Sequence, residues 1–244
     1  MMITASQKQW IQWVKLTSHP LRQIDGEGNP TGFGSATLID YKSKRFALTA
    51  HHVVPLDQKG WSIEVSFSSS QGTELYTPKR WMSLVEYRKS KNELAHVDFS
   101  FAEVSTGLSS MYQERTPFFQ GEEVARHVFA SSEIAEPEAA EIYGFSGETK
   151  PEMHSPRSVA MQMNVFPGIK YVGFEDEILI FKLPISHPGH PEFRGCSGAP
   201  IVDTHRRLVG IVVRGDEIDD SVRAVSISRL LPALDIYCSK RADA

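Results

Sequence analysis

Short runs in which apolar and polar residues alternate cover most of the chain, and they predict a mostly β protein. Val, Ile, Phe and Thr dominate these runs, as is typical of strands, and turn residues separate them. The first set consists of Gly34–Ile39, Arg45–Thr49, Ser62–Phe67, Trp81–Val85 and Val97–Val104. The second set consists of Val124–Phe129, Ala140–Phe145, Met161–Phe166, Glu177–Leu183, Ala199–Val202, Leu208–Val213 and Ala224–Ile227. Two sets of about six strands each predict a double six-stranded β-barrel.

Helical spacing replaces this alternation at the two ends of the chain. In residues 1–16, Thr4 and Gln7 have the spacing of a capping box. One face of this helix carries Trp10, Trp13 and Val14. The tail from Ser228 to Ser239 also has apolar residues at helical spacing. A helix packed against the body of the protein and a helix that docks on a partner both fit the N-terminal pattern.

These patterns divide the chain into five segments. They are an N-terminal helix and lead-in (1–30), a first β-barrel (31–104), an inter-barrel linker (105–121), a second β-barrel (122–227), and a C-terminal helix and tail (228–244). The linker is assigned because its residues show no alternation and include two glycines and a proline.

Composition and charge exclude several classes of protein. The chain has 244 residues, of which 41% are hydrophobic and 23% charged, as in ordinary globular proteins. Its net charge of −4, without a dense Lys/Arg tract, argues against nucleic acid as a partner. No run approaches the roughly 18–20 apolar residues that cross a bilayer, and the N-terminal segment lacks the apolar core of a signal peptide. Because the two cysteines, Cys196 and Cys238, give no indication of an oxidising compartment, we expect a cytoplasmic protein that contacts no membrane.

One segment places a hydroxyl at the tip of a tight bend. In Gly195-Cys196-Ser197-Gly198, glycines on both sides of the serine allow backbone conformations that a β-carbon forbids. The amides of Gly195 and Ser197 can then point the same way and hold a developing oxyanion. An ordinary Gly/Ser loop is the alternative explanation, since Gly-x-Ser-Gly is common by chance.

Two further segments supply a base and a carboxylate. A β-run ends at Thr49-Ala50 and is followed by His51 and His52, at a place where a rigid scaffold can present a base. Adjacent strand residues point to opposite faces, so the two histidines do not easily share a metal ion, and we expect no metal. Asp98 stands at the head of an apolar strand, where a buried charge needs a partner such as a histidine N–H. A core histidine and a solvent-facing aspartate are the alternative explanations.

Taken together, these segments resemble the chymotrypsin/trypsin-like serine protease family. His52, Asp98 and Ser197 follow one another in the order His–Asp–Ser, 46 and 99 residues apart, in a two-barrel β pattern. The segment Leu48–Val54 resembles the family's threonine-alanine-x-histidine strand end, and Gly195–Pro200 its Gly-x-Ser-Gly-x-Pro loop. Supporting matches are Gly32–Ser35, Ile142–Phe145 and Gly210–Gly215.

The resemblance implies a catalytic triad and an endopeptidase activity without a cofactor. Ser197 would attack the peptide carbonyl and His52 would move the proton. Asp98 would orient the imidazole, while the amides of Gly195 and Ser197 would form the oxyanion hole. Matching the motif selects His52 over His51 as the base. A role for His51 is left open.

The sequence departs from secreted family members just before the nucleophile. Those members have an aspartate there, which pairs with a newly cut N-terminus, whereas this chain has Cys196. The chain therefore resembles the intracellular bacterial Do/HtrA-like branch, without a PDZ domain. Its oxyanion loop would be ordered either permanently or by an activating protein partner. Cys196 as the nucleophile is a further alternative, in which the attacking group lies one residue before the tip of the bend.

The resemblance also indicates where substrate would bind. The matching positions are Pro191, Glu192, Phe193, Arg194, Val213, Arg214 and Gly215. Glu192 and the acidic segment Asp216–Asp220 would favour Lys or Arg at the cleavage site by charge pairing, unless this segment is a solvated loop. His187 and His190, which come just before, suit a mobile loop with two exposed histidines better than a metal site.

The sequence therefore predicts a serine endopeptidase that acts on a protein or peptide substrate. In this respect the chain resembles the stand-alone proteases of bacterial stress or defence modules, and the resemblance implies that it cuts a dedicated partner protein. A catalytically inactive binding module of the same fold is the alternative function. An α/β-hydrolase esterase is disfavoured, because Ala199 stands where that elbow has glycine and no strand–helix alternation surrounds it.

Overall fold

The computed structural model describes residues 4–56, 59–68, 72–88, 93–116, 119–155, 158–176 and 178–240. Parts of the predicted segments lie outside these ranges, namely residues 1–3, 57, 58, 69–71, 89–92, 117, 118, 156, 157, 177 and 241–244. Within the described ranges, no helix is long and apolar enough to cross a bilayer.

Helix α1 (Ala5–Val14) begins at the predicted capping box. The Gln7 amide donates to Thr4 Oγ1 at 3.2 Å, and the Thr4 amide donates to Gln7 Oε1 at 2.9 Å. Trp10 and Val14 are buried, and Trp10 Nε1 donates to the Asp203 carbonyl at 2.7 Å. The apolar face of α1 therefore packs against the body of the protein.

The first half of the chain forms an open, barrel-like antiparallel sheet. Its strands are β1 (His19–Ile24), β2 (Pro30–Tyr41), β3 (Lys44–Thr49), β4 (Trp61–Ser68), β5 (Gly72–Tyr76), β6 (Met82–Arg88) and β7 (Glu93–Val104). They lie in the order β5-β4-β1-β2-β3-β7-β6. Phe46, Leu48 and Phe99 are buried in its core.

The segment predicted as a linker, 105–121, contains strand structure. Strand β8 (Met111–Thr116) pairs with β9 (Phe119–Ala125) in an antiparallel hairpin. The short strand β10 (Phe129–Ala130) then pairs in parallel with β2 of the first sheet. The predicted strand Val124–Phe129 is thus split between β9 and β10, and residues 122–142 precede the second barrel instead of forming part of it.

The second half of the chain forms a closed barrel of six strands. They are β11 (Tyr143–Ser155), β12 (Ser158–Glu175), β13 (Ile178–Lys182), β14 (Pro200–Asp203), β15 (Leu208–Asp216) and β16 (Ser221–Ser226), closed in the order β11-β12-β13-β16-β15-β14. The one-turn helix α2 (His190–Phe193) lies between β13 and β14. Helix α3 (Ile227–Lys240) follows β16. Its residues Leu230 and Leu234 pack into the same hydrophobic core as Phe46 and Phe99 of the first sheet.

Strand β1 was not predicted, because its sequence lacks a clean alternation. It belongs to the segment that we expected to be only a lead-in, and it pairs with both β2 and β4. Its Arg22 is buried although it is charged, and this breaks the expected pattern of apolar residues facing inward. The buried charge is tolerated because its partners lie elsewhere in the chain.

A buried ion cluster, made of Arg22, Glu64, Arg126 and Glu148, joins the two halves. Arg22 of β1 binds the carboxylate of Glu148 of β11, and it also contacts Glu64 at 3.0 Å. Arg126, which follows β9, contacts Glu148 at 3.3 Å and donates to the Ser18 carbonyl at 2.5 Å. Each charge in the cluster therefore has an opposite partner, which burial requires.

We expect the replacement Glu148→Ala to destabilise the protein by about 3–5 kcal/mol, because it leaves two buried arginines without their shared carboxylate. Urea denaturation monitored by tryptophan fluorescence measures this loss. The exposed Glu152→Ala on the same strand is the control and should change the free energy of unfolding by less than about 0.5 kcal/mol. Equal effects of the two replacements would contradict the role of the cluster.

The same cluster predicts a dependence of stability on pH. Burial raises the pKa of Glu148, but the charges and hydrogen bonds of Arg22 and Arg126 outweigh it and hold the pKa below the ordinary value of 4.5. A carboxyl with a lowered pKa in the folded state stabilises the protein fully above its unfolded value, and this contribution is lost as the pH falls through the folded value. Below about pH 4.5, the wild type should therefore lose more stability than Glu148→Gln does.

Candidate active site

The end of β3 and the middle of β7 bring His52 and Asp98 together, because β7 begins at Glu93 and Asp98 does not stand at its head as the sequence predicts. The two strands pair with Thr49 opposite Ser100, so Asp98 lies just beyond the end of β3. Residues 51–53 form a turn there, and His52 Nδ1 lies 2.9 Å from Asp98 Oδ2 and 3.1 Å from Oδ1. The His52 amide also donates to Asp98 Oδ1, at 3.0 Å. The structure therefore joins these two predicted site residues, 46 positions apart in sequence.

The surroundings of Asp98 favour its ionised form. Burial raises the pKa of Asp98, but the hydrogen bond and charge of the His52 ring and the His52 amide outweigh it, so the pKa lies below its ordinary value. A carboxylate has only acceptors to offer, so Nδ1 of His52 carries the hydrogen in this contact. In the neutral ring, the lone pair then lies on Nε2 and is available to accept a proton. The side chains of His52 and Asp98 are 50% and 37% exposed, which leaves the pair accessible to a ligand.

His51 has different partners from His52. Its Nδ1 lies 2.7 Å from Ser83 Oγ and 3.1 Å from Ser100 Oγ, and its ring stacks on His96 with centroids 4.7 Å apart. No metal-binding group of three His, Cys, Asp or Glu side chains occurs within the described residues. The contact with Asp98 favours His52 as the base, whereas His51 belongs to a hydroxyl-lined cluster beside it.

The serine loop, residues 194–199, needs glycine at two positions. Gly195 and Gly198 have φ values of +106° and +93°, which disfavour other residues. A methyl group on Gly198 would lie 1.8 Å from the Ser35 carbonyl oxygen, and one on Gly195 would lie 2.1 Å from the Glu148 carbonyl oxygen. The loop therefore approaches the backbone of both halves of the protein too closely for a side chain.

Strand β2 of the first sheet holds this loop. The Ser35 amide donates to the Ser197 carbonyl at 2.8 Å, and Ser35 Oγ donates to the Gly195 carbonyl at 2.7 Å. Thr37 Oγ1 donates to the Gly198 carbonyl at 3.1 Å. Thr49, three residues before His52, donates through Oγ1 to the Ser35 carbonyl at 2.7 Å. Ser35 therefore binds both the serine loop and the end of β3. The sequence did not predict this role.

Two amides of the loop are free to bind an anion. The amide of Cys196 donates to Phe193 at 2.9 Å, and the amide of Gly198 donates to Val212 at 2.8 Å. The amides of Gly195, before Cys196, and of Ser197, between Cys196 and Gly198, have no hydrogen-bond acceptor in the part of the chain that the structure describes. These are the two donors that the sequence predicts for an oxyanion hole.

The Ser197 hydroxyl is turned towards the backbone. Its Oγ donates to the Val213 carbonyl at 3.5 Å, a long and weak hydrogen bond. Among the described residues, no hydrogen bond joins this hydroxyl to His52. The structure therefore joins the His–Asp pair, whereas a Ser–His bond requires rotation of the serine side chain.

Cys196 does not have the properties of a nucleophile. Its side chain is fully buried and packs against Gly147. Burial raises the pKa of the thiol well above its ordinary value, so the reactive thiolate is disfavoured. This argues against the alternative in which Cys196 attacks the substrate.

The predicted substrate-binding residues lie on two neighbouring elements. Pro191, Glu192 and Phe193 belong to α2, Arg194 follows it, and Val213, Arg214 and Gly215 belong to β15. Lys150 neutralises Glu192 at 2.7 Å. Phe193 is buried against other aromatic rings, whereas Arg194 and Arg214 are exposed. The predicted pocket therefore lies between two walls. One is helix α2 with the ring of Phe193, and the other is strand β15.

The acidic segment after β15 is used for internal contacts. Asp216 and Asp219 contact Arg223 at 3.4 and 3.2 Å. Asp220 accepts from the amide of His187 at 2.7 Å, and Glu217 accepts from the amide of His190 at 3.0 Å. These contacts remove the support for a preference for Lys or Arg. They also show that His187 is held in place, in contrast to the mobile loop with two exposed histidines that the sequence predicts.

Comparisons with known proteins identify the fold. No protein-family model and no curated protein matches the sequence. The structure is similar to a serine endoprotease from Yersinia pestis, with a TM-score of 0.53 and 12% identity over 96% of this chain and 67% of that chain. It is also similar to human heparin binding protein, with a TM-score of 0.55 and 10% identity over 92% of this chain and 91% of that chain.

We expect the replacement Gly198→Ala to disrupt the serine loop, because the methyl group meets the Ser35 carbonyl and the backbone has a positive φ. The control is Gly28→Ala, where φ is also positive, at +87°, but nothing lies within 4 Å. Gly28→Ala should cost about 1–2 kcal/mol, and Gly198→Ala about 1–3 kcal/mol more, in urea denaturation. If both replacements lowered the free energy of unfolding equally, close packing of the serine loop against β2 would be contradicted.

The mostly β architecture that the sequence predicts is confirmed: the chain has the chymotrypsin-like fold, with two barrel-like halves and a helix near each end.

Proposed function

We propose that this protein is a serine endopeptidase that hydrolyses peptide bonds through an acyl-enzyme. The observation that carries the proposal is the contact between His52 Nδ1 and the Asp98 carboxylate, beside a loop that presents Ser197. A histidine held by a carboxylate on one nitrogen has its other nitrogen free to serve as a general base. The chymotrypsin-like fold supports the proposed peptide hydrolysis by analogy with other proteins of this fold.

The proposed reaction begins with rotation of the Ser197 hydroxyl from Val213 towards His52. Oγ attacks the carbonyl carbon of the substrate while Nε2 of His52 takes its proton. The carbonyl oxygen becomes an oxyanion and accepts hydrogen bonds from the amides of Gly195 and Ser197. His52 then gives the proton to the leaving amine nitrogen, which leaves an acyl ester on Ser197. Water, activated by His52, hydrolyses this ester and restores the serine.

Asp98 is a positioning residue in this scheme. Its carboxylate holds the His52 ring in the tautomer that has the lone pair on Nε2, and it stabilises the ring when it becomes positively charged. The lowered pKa of Asp98 keeps it ionised at neutral pH, as this role requires.

A binding module without catalysis is the second candidate function. It is favoured by the hydrogen bond of Ser197 Oγ to Val213, which directs the hydroxyl away from the base. Against it stand the two free amides and the His–Asp pair, which a binding module does not need. Catalytic hydrogen bonds are often long or misaligned before substrate binds, so we favour the enzyme.

We also propose where the protease acts and how it binds its substrate. We place the protease in the cytoplasm, in the Do/HtrA-like branch, with a protein or peptide substrate bound by Pro191–Arg194 and Val213–Gly215. The hydrogen bonds from Ser35 to both sides of Ser197 favour a permanently ordered oxyanion loop over one that an activating partner must order. On this proposal the purified chain is active by itself.

Covalent labelling by a fluorophosphonate tests the nucleophile. The purified wild type should be labelled, because the reagent reacts with an activated serine and its phosphoryl oxygen enters the oxyanion hole. Ser197→Ala should not be labelled, whereas Cys196→Ala, which removes the buried thiol, should be labelled. Intact-protein mass spectrometry gives both results. A wild type that remains unlabelled would favour the binding module.

Peptide hydrolysis tests the base and its partner. Asp98→Asn should lower kcat by about 10⁴-fold with little change in KM, because the amide cannot hold the same tautomer of His52. His51→Ala is the matched control and should retain the wild-type kcat, since Nδ1 of His51 contacts the hydroxyls of Ser83 and Ser100, whereas Nδ1 of His52 contacts Asp98. Loss of activity in His51→Ala but not in His52→Ala would reverse the assignment of the base.

A further inference from the structure

His187 lies between the two walls of the predicted substrate pocket. Its ring stacks on Phe193 of the α2 wall, with centroids 4.4 Å apart and planes 19° apart. Its Nε2 touches the opposite wall: a methyl group built on Gly215 of β15 would lie 2.2 Å from that atom. The imidazole therefore bridges the walls and occupies space that the side chain of a substrate would need.

One hydrogen bond fixes the backbone of His187, and a second fixes its ring. The His187 amide donates to Asp220 Oδ1 at 2.7 Å, and the Gly189 amide donates to His187 Nδ1 at 3.0 Å. The contact at Nδ1 requires a lone pair there, so the hydrogen of the neutral ring lies on Nε2. The ring is thus held from the backbone on one side and by Phe193 on the other.

The N–H group at Nε2 of His187 does not point into an open cavity. Nε2 is buried and has no hydrogen-bond partner among the described residues. A group that recognises a polar substrate must face the space that the substrate enters, whereas this atom faces the Gly215 backbone. The ring therefore fills the pocket and does not present a hydrogen bond to it.

In the described ranges, some carboxylates around the pocket are paired with cations, whereas Asp220 and Glu217 are bonded only to backbone amides. Glu192 is paired with Lys150, and Asp219 with Arg223. Asp220 is bonded to the His187 amide. Since each of these carboxylates is already engaged by another group of the protein, we expect the shape of the pocket to contribute more to substrate selection than its charge.

We propose that His187 closes the pocket for the residue before the scissile bond and limits it to short, uncharged side chains such as those of Ala and Ser. This inference rests on the proposed function. An additional methylene group in an enzyme pocket changes kcat/KM by roughly 10–200-fold, so a ring that leaves no room for Leu or Phe discriminates at least as strongly.

The test compares peptides that differ only in the residue before the scissile bond, which is Ala, Ser, Leu, Phe, Gln, Glu or Lys. The wild type should cleave after Ala or Ser with a kcat/KM at least about tenfold above that for any of the others. His187→Ala should raise kcat/KM for Leu and Phe by about tenfold or more, with little change for Ala. The control is His190→Ala, which removes an exposed side chain in the same segment and should leave the profile unchanged.

The outcomes separate this inference from the proposed function. Each variant is first treated with a fluorophosphonate, so that the active serine is counted. A labelled wild type that prefers Leu, Phe or Lys overturns only the inference, as does a profile that His187→Ala does not change. A preference for Gln or Glu also overturns it, because the imidazole would then act as a hydrogen-bond donor to the substrate.

A wild type that is neither labelled nor active overturns both proposals. If His187→Ala does not fold, the wild-type profile by itself decides.

Discussion

The contact between strand β2 and the serine loop is the constraint on which the site depends. Ser35 binds the carbonyls of Gly195 and Ser197, and its own carbonyl accepts from Thr49 at the end of β3. One residue of the first sheet thereby fixes the position of the Ser197 loop in the second half relative to the turn that carries His52. Each such hydrogen bond contributes only about 0.5–1.5 kcal/mol to stability, so their importance lies in direction more than in strength. Gly198 permits the contact, because only a residue without a β-carbon fits against the Ser35 carbonyl.

The ion cluster supports the same loop from the other side. The backbone of Glu148 lies against Gly195, and the carboxylate of Glu148 is held by Arg22 and Arg126. Arg22 comes from the first sheet and Arg126 from the segment between the halves, so the cluster ties three parts of the chain together. Buried ion pairs add little net stability compared with apolar packing, but breaking one is costly. The cluster therefore fixes how the halves fit together more than it adds to the total stability.

The fold class was predictable from local signals, whereas the contact between His52 and Asp98, 46 positions apart, was expected only from the resemblance to a known family. Strand runs and glycine-flanked turns are visible in a single sequence, whereas the start of β7 at Glu93, which puts Asp98 inside the strand, was not. Strand β1 was missed because the charge of Arg22 is satisfied by Glu148, 126 positions away. The hairpin of β8 and β9 was missed because glycine and proline nearby indicated a linker.

The pocket shows the same limit of sequence reasoning. Glu192 and the segment Asp216–Asp220 looked available for a basic substrate, since a sequence shows charges but not their partners. Lys150 and Arg223, which neutralise them, come from other strands. For the same reason His187 seemed to be an exposed loop residue, although its ring lies between Phe193 and Gly215.

A crystal structure of the protein with a peptide boronic acid would show whether Ser197, His52 and the two loop amides act on one substrate group. We expect a covalent bond from Ser197 Oγ to boron, with the serine side chain turned away from Val213. One boronate oxygen should lie about 2.7–3.1 Å from the amide nitrogens of both Gly195 and Ser197, and His52 Nε2 should be within hydrogen-bond distance of the adduct. A boronate that leaves Ser197 unmodified, or an adduct whose oxygens do not reach these amides, would contradict it.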